Sequence, residues 1–109
     1  MADIQKIETL AALEDLLERS RERPVWVFKH SLTCPISGMA WDEFRRFALQ
    51  EGEAICALIE IQRARPVSNA LAERTGVRHE SPQAILLRDA RAAWYASHYD
   101  INLTALRQA

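Results

Sequence analysis

The chain has 109 residues, 49% of them hydrophobic and 27% charged, with a formal net charge of −1. That length fits a single domain over residues 1–109 with a modest core, and the near-neutral balance offers no field for nucleic acid or an anionic membrane. No apolar run approaches the roughly 20 residues of a spanning helix, and the start Met1-Ala2-Asp3-Ile4-Gln5-Lys6 lacks a signal-peptide core, so a cytoplasmic protein is expected.

In chain order, Ile4 to Ile7 reads as a short edge strand or a lead-in. Thr9 can cap a helix whose Leu10, Leu13, Leu16 and Leu17 share one face, with Glu14, Asp15 and Glu18 outside. This helix should end in the polar Arg19 to Arg23 stretch, ahead of Pro24. Val25-Trp26-Val27-Phe28 is an apolar strand, followed by a polar loop at Lys29, His30 and Ser31. Beyond Cys34, Pro35 suits a first helical position. Met39, Ala40, Trp41, Phe44, Phe47 and Ala48 then recur at helical spacing, up to a stop near Gln50 to Gly52.

Ala54 to Ile61 is nearly continuous in apolar residues, as in a strand covered on both faces. Two strands joined by a helix of about fifteen residues imply a right-handed parallel β-α-β unit. Pro66 to Thr75 makes a third helix, with Gly76 as its stop. Val77 to Ser81 leads into Pro82 and a strand from Gln83 to Leu87. Arg88 to Arg91 is a turn, Ala92 to Tyr99 returns as an antiparallel partner, and Asn102 caps a last helix reaching Gln108. The order helix, strand, helix, strand, helix, strand, strand, helix packs as an α/β fold with a mixed four-stranded core sheet flanked by helices.

The chemistry concentrates at Cys34. It stands in a strand–loop–helix junction, where unpaired N–H groups and the positive end of a helix favour an anion. The anion available is a thiolate, and cysteines so placed have a lowered pKa. Cys34 is therefore the candidate nucleophile. Two cysteines in a reducing compartment argue against a disulfide framework. Cys56, in the middle of an apolar strand, reads as a small buried hydrophobe rather than a resolving thiol.

A Cys-Pro at the start of the second helix and a lone proline opening the third core strand resemble the thioredoxin superfamily. There the proline, here Pro82 after Ser81, is cis and lies beside the reactive sulfur, leaving the backbone before it free to bind substrate backbone. The resemblance narrows further. Phe28-Lys29-His30-Ser31 leads into Thr33-Cys34-Pro35-Ile36-Ser37, and Arg65-Pro66-Val67-Ser68-Asn69 and His79-Glu80-Ser81-Pro82-Gln83 follow. Together these are similar to the monothiol branch of the bacilliredoxins, glutaredoxin-like proteins that serve the small thiol bacillithiol. The resemblance implies reduction of mixed disulfides between proteins and bacillithiol, with bacillithiol as co-substrate and no tightly bound cofactor. Bacillithiolated proteins are the implied partners, and a monomer or weak dimer is expected.

Dithiol members carry the resolving cysteine three residues after the nucleophile, where this chain has Ser37, so the implied mechanism is monothiol exchange at Cys34. Ser37 can donate a hydrogen bond to the thiolate or help cap the helix. Bacillithiol carries a malate group, for which Lys29 and Arg65 are the candidate cations; Lys29 can also favour the thiolate by charge. His30 is a candidate proton donor to the leaving thiol. Thr33, Pro35, Ser81 and Pro82 complete the expected substrate contacts, while His79 and His98 are weaker site candidates.

No metal-ligand spacing is present. Where relatives that hold an iron–sulfur cluster have Cys-Gly-Phe-Ser, this loop reads Cys-Pro-Ile-Ser. Trp26, Trp41 and Trp94 are expected in the core. The rival function is a non-enzymatic thiol sensor or carrier, bacillithiolated at Cys34 and acting through a protein partner.

Overall fold

The computed structural model describes residues 4–109. Strand β1 (Ile4–Lys6) is followed by α1 (Leu10–Arg19), β2 (Val25–His30), α2 (Pro35–Gln50), β3 (Ile55–Glu60) and α3 (Arg65–Thr75). The chain closes with β4 (Gln83–Arg88), β5 (Arg91–Ser97), a 3-10 turn (His98–Asp100) and α4 (Leu103–Gln108). The sheet has five strands in the order β1-β3-β2-β4-β5, one more than the four expected. The additional edge strand is β1, which pairs in parallel with β3.

The helix ends follow local chemistry. Thr9 Oγ1 accepts from the Ala12 N–H at 3.1 Å to start α1, and Asn102 Oδ1 accepts from the Ala105 N–H at 2.9 Å to start α4. Gly76 takes the left-handed φ of 74° that ends α3. Asp89 and Ala90 form the two-residue β4–β5 turn, both at positive φ as a tight hairpin turn with the right twist requires. Ser20, just past α1, fastens this turn: its carbonyl accepts from Asp89 N–H and its hydroxyl from Ala90 N–H.

β2 runs parallel to β3 and antiparallel to β4, so it is the central strand. Its alternation splits the core. Val25 and Val27 face α1 and α3 with Leu13, Leu17 and Leu71, whereas Trp26 and Phe28 face α2 and α4 with Phe44, Phe47 and Leu106. The second layer is aromatic: Trp26 meets Phe44, Phe47 and Trp94 edge-on, and Phe28 stacks on Phe44. All three tryptophans thus pack in this core. β2 also runs further than its apolar stretch. Lys29 pairs with Ile59 and Gln83, and His30 with Glu60, so the expected loop starts at Ser31.

Candidate active site

Cys34 is half-buried and occupies the N-cap of α2 with an extended backbone, φ −103° and ψ 120°. Pro35 fills the first turn, and the first intrahelical bonds run from the N–H groups of Ser37 and Gly38 to the Cys34 carbonyl. Among the described residues, no side chain caps this helix. Its start therefore offers donors and the positive end of a sixteen-residue dipole to whatever charge the sulfur carries.

The loop before Cys34 is held by a residue that the sequence did not single out. Gln62, just beyond β3, accepts from the Leu32 N–H at 3.0 Å and donates to Ser31 Oγ at 3.0 Å and Thr33 Oγ1 at 3.4 Å. Thr33 itself is exposed. Ser37 is fully buried, and its recorded partners lie in the same loop. Its Oγ accepts from the Ser31 N–H at 2.9 Å and lies 2.8 Å from His30 Nδ1. The hydroxyl is thus engaged with loop atoms rather than with a helix-capping N–H.

His30 stacks on Trp41 at a centroid distance of 5.8 Å. Burial moves its pKa below the ordinary value, partly offset by Glu60. Burial thus favours the neutral ring, whose Nδ1 accepts from the Ser37 hydroxyl in one tautomer and donates to its oxygen in the other.

The peptide bond between Ser81 and Pro82 is cis. Pro82 is buried, and its carbonyl accepts from the His98 N–H at 3.1 Å, which ties the proline to the end of β5. The Ser81 hydroxyl is buried and has no hydrogen-bond partner among the described residues, so any contact made by Ser81 falls to its backbone. Beside this edge, Ile36, Met39, His98, Tyr99 and Ile101 line an open groove. His98, a weaker candidate from the sequence, lines this groove together with Ile36, two residues beyond Cys34, and has a backbone φ of 54°.

Lys29 corrects the expectation of a cation on the solvent edge. Its side chain is 0% exposed and points to the α3 side of the sheet. The Nζ donates to the Ser68 carbonyl at 3.0 Å and to His79 Nδ1 at 3.2 Å. Burial pushes its pKa down to about 8. A sealed amine cannot reach a carboxylate in solution. Arg65, the other expected cation, is exposed as the first residue of α3, and its charge acts on His79.

Cys56 is fully buried in mid-β3, where desolvation, helped by Glu51, pushes its thiol up to about 12. It stands four residues before the end of β3, about 13 Å along a strand rising roughly 3.3 Å per residue. A disulfide needs Cα atoms within about 7 Å, so Cys56 is out of reach of the nucleophile's edge. Among the described residues, no three His, Cys, Asp or Glu side chains cluster as a metal site, and no helix is long and apolar enough to cross a membrane.

Comparison with solved structures finds the same fold. A proposed oxidoreductase with a thioredoxin fold is 34% identical, with a TM-score of 0.85 over 96% of this chain and 91% of that one. A mutant thioredoxin from Halobacterium salinarum is 19% identical, with a TM-score of 0.76 over 97% of this chain and 86% of its own. Thioredoxin from Fasciola hepatica is 17% identical, with a TM-score of 0.77 over 95% and 93%. The last two carry the fold alone; the first joins it to redox chemistry. The profile of the family described as monothiol bacilliredoxin BrxC matches residues 5–106, nearly the whole chain. With a cysteine at a helix start, a cis-proline and a serine where a second thiol would stand, this thioredoxin-fold redox protein belongs to the monothiol bacilliredoxin family.

Proposed function

We propose that the protein reduces mixed disulfides between proteins and bacillithiol by a single-thiol exchange at Cys34. The observation that carries this reading is the half-buried Cys34 at the uncapped start of α2, with Ser37 three residues on and Cys56 sealed in the core. In the first step the Cys34 thiolate attacks the bacillithiol-side sulfur. A bond forms between Cys34 and bacillithiol, the mixed disulfide breaks, and the protein sulfur leaves as a thiolate that takes a proton. In the second step the thiolate of another bacillithiol attacks the bacillithiol sulfur held on Cys34. Bacillithiol disulfide leaves and the Cys34 thiolate returns, so both electrons come from bacillithiol.

The surrounding residues have roles consistent with this. The helix start stabilises the sulfur anion in both steps. His30 beside this loop is uncharged at neutral pH, so it donates a proton only from its minor imidazolium form, and the departing thiolate otherwise takes its proton from water. The Ser81 backbone, Pro82, Thr33 and Pro35 form the substrate-facing rim, and Arg65 is the cation left for the malate carboxylates now that Lys29 is enclosed.

The test is turnover. A bacillithiolated model protein mixed with free bacillithiol and catalytic amounts of enzyme should release many equivalents of protein thiol. A single stoichiometric burst would instead favour a thiol carrier or sensor, and no reaction at Cys34 would remove both readings.

A further inference from the structure

Two buried polar side chains reach from neighbouring strands beneath the segment 77–82, and neither is used by the exchange chemistry. Lys29 on β2 and Gln83 on β4 are direct cross-strand partners, so their side chains share one face of the sheet. Both are 0% exposed. Lys29 Nζ reaches His79 Nδ1 at 3.2 Å, and Gln83 Nε2 reaches the Arg78 carbonyl at 3.0 Å. Lys29 also holds the Ser68 carbonyl, and Ser68 Oγ lies 3.2 Å from the same His79 nitrogen. One ammonium therefore joins β2, the first turn of α3 and the segment that ends in cis Pro82.

The two recorded acceptors of Lys29, a carbonyl and an imidazole, are both neutral. A buried ammonium without a paired carboxylate is costly, and an apolar side chain of the same length would fill the slot at lower cost. Stability therefore does not account for this residue, whereas geometry does. We propose that Lys29 is a positioning residue: by clamping His79 and the Ser68 carbonyl to the central strand, it fixes the segment carrying Ser81 and Pro82 at the end of β2 that leads into the Cys34 loop. It acts on the substrate-facing backbone and not on the sulfur. The functional consequence rests on the exchange reaction proposed above; the clamp itself does not.

Backbone order parameters and kinetics test it together. In the wild type the N–H groups of residues 77–81 should have order parameters near the rigid value of about 0.85, and in Lys29→Met they should fall towards about 0.6. With a bacillithiolated protein as substrate, kcat/KM should drop about tenfold, mostly through KM. The pH profile of Cys34 alkylation by iodoacetamide, which needs no substrate backbone, should stay unchanged. His79→Asn, whose amide oxygen can accept in place of Nδ1, should keep both order and rate. His79→Leu should reproduce Lys29→Met, and the double variant should be no worse than either single one. His79 is exposed, so its variants remain usable even where Lys29→Met folds poorly.

Unchanged order parameters in Lys29→Met and His79→Leu would overturn the clamp, as would an equal loss in His79→Asn and His79→Leu. A shifted alkylation profile in Lys29→Met would assign the residue to the sulfur instead. A wild type that turns over no mixed disulfide defeats the functional reading alone, because the order parameters still decide the clamp.

Discussion

The Ser37 hydroxyl lies 2.8 Å from His30 Nδ1 and accepts the Ser31 N–H at 2.9 Å, so the position where dithiol relatives carry a second sulfur holds the nucleophile's loop together. Ser37→Ala leaves the buried Ser31 N–H unpaired, which should cost about 1–3 kcal/mol. Urea unfolding measures that loss. Ser37→Cys should lose a similar amount, because a thiol is a weak hydrogen-bond partner. It also places two sulfurs three residues apart on one helical turn, with Cβ atoms about 5–6 Å apart, a spacing open to a disulfide after small adjustment. The oxidised variant should therefore lose its fast-reacting thiol to labelling and recover it on reduction.

Cys34 and Cys56 should separate cleanly by reactivity. In the native protein one thiol should label with iodoacetamide at neutral pH, and two in denaturant, since burial holds the Cys56 thiol near 12. Cys34→Ser should abolish exchange. Cys56→Ala should keep multiple turnovers while losing about 1 kcal/mol of stability from the vacated core volume. Loss of turnover in Cys56→Ala would mean that the second cysteine takes part in the cycle.

Lys29 gives the protein an alkaline signature. Its amine is protonated up to about pH 8 in the folded state and up to its ordinary 10.5 when unfolded. Between those values the unfolded chain binds more protons, so stability rises with pH; below about 8 the full cost of burying the ammonium is present. The gain should approach about 3 kcal/mol, and Lys29→Met should lack it. Cys56 works the other way, because its thiol ionises from about 9 only in the unfolded chain. Urea titrations of the wild type and Lys29→Met at matched pH cancel that drift, and parallel curves would contradict the burial of a charged amine.

Ala90 holds a left-handed backbone, φ 61°, in the β4–β5 turn. For a residue with a Cβ this costs roughly 1–2 kcal/mol. Its methyl is only partly buried against the core and contributes less than the ~0.8 kcal/mol of a fully buried carbon. Ala90→Gly should therefore raise stability by several tenths of a kcal/mol. The N–H bond to Ser20 Oγ is retained, and a melting temperature a few degrees higher would register the change.

What was legible in the sequence is what is written locally. Thr9, Asn102 and Gly76 terminate helices through chemistry contained within one turn, and Cys34-Pro35 marks a helix start for the same reason. Lys29 was misplaced because a polar residue after four apolar ones looks like the end of a strand. What keeps it inside is non-local: its acceptors lie 39 and 50 positions away. Gln62 escaped notice for the same cause, since it bonds to a loop about 30 residues earlier. The edge strand Ile4–Lys6 was ambiguous because three residues carry too short a pattern, and only the partner Cys56 to Leu58 defines it.

The contact between His30 and Trp41 turns the indole into an optical gauge. A protonated imidazole quenches an excited indole lying against it, whereas a neutral ring does so weakly. Trp26 and Trp94 lean on each other instead, at 5.5 Å, and supply a steady background. The intrinsic emission should therefore brighten as His30 loses its proton, below the usual histidine midpoint, giving a label-free view of the imidazole that is bonded to the nucleophile's loop through Ser37.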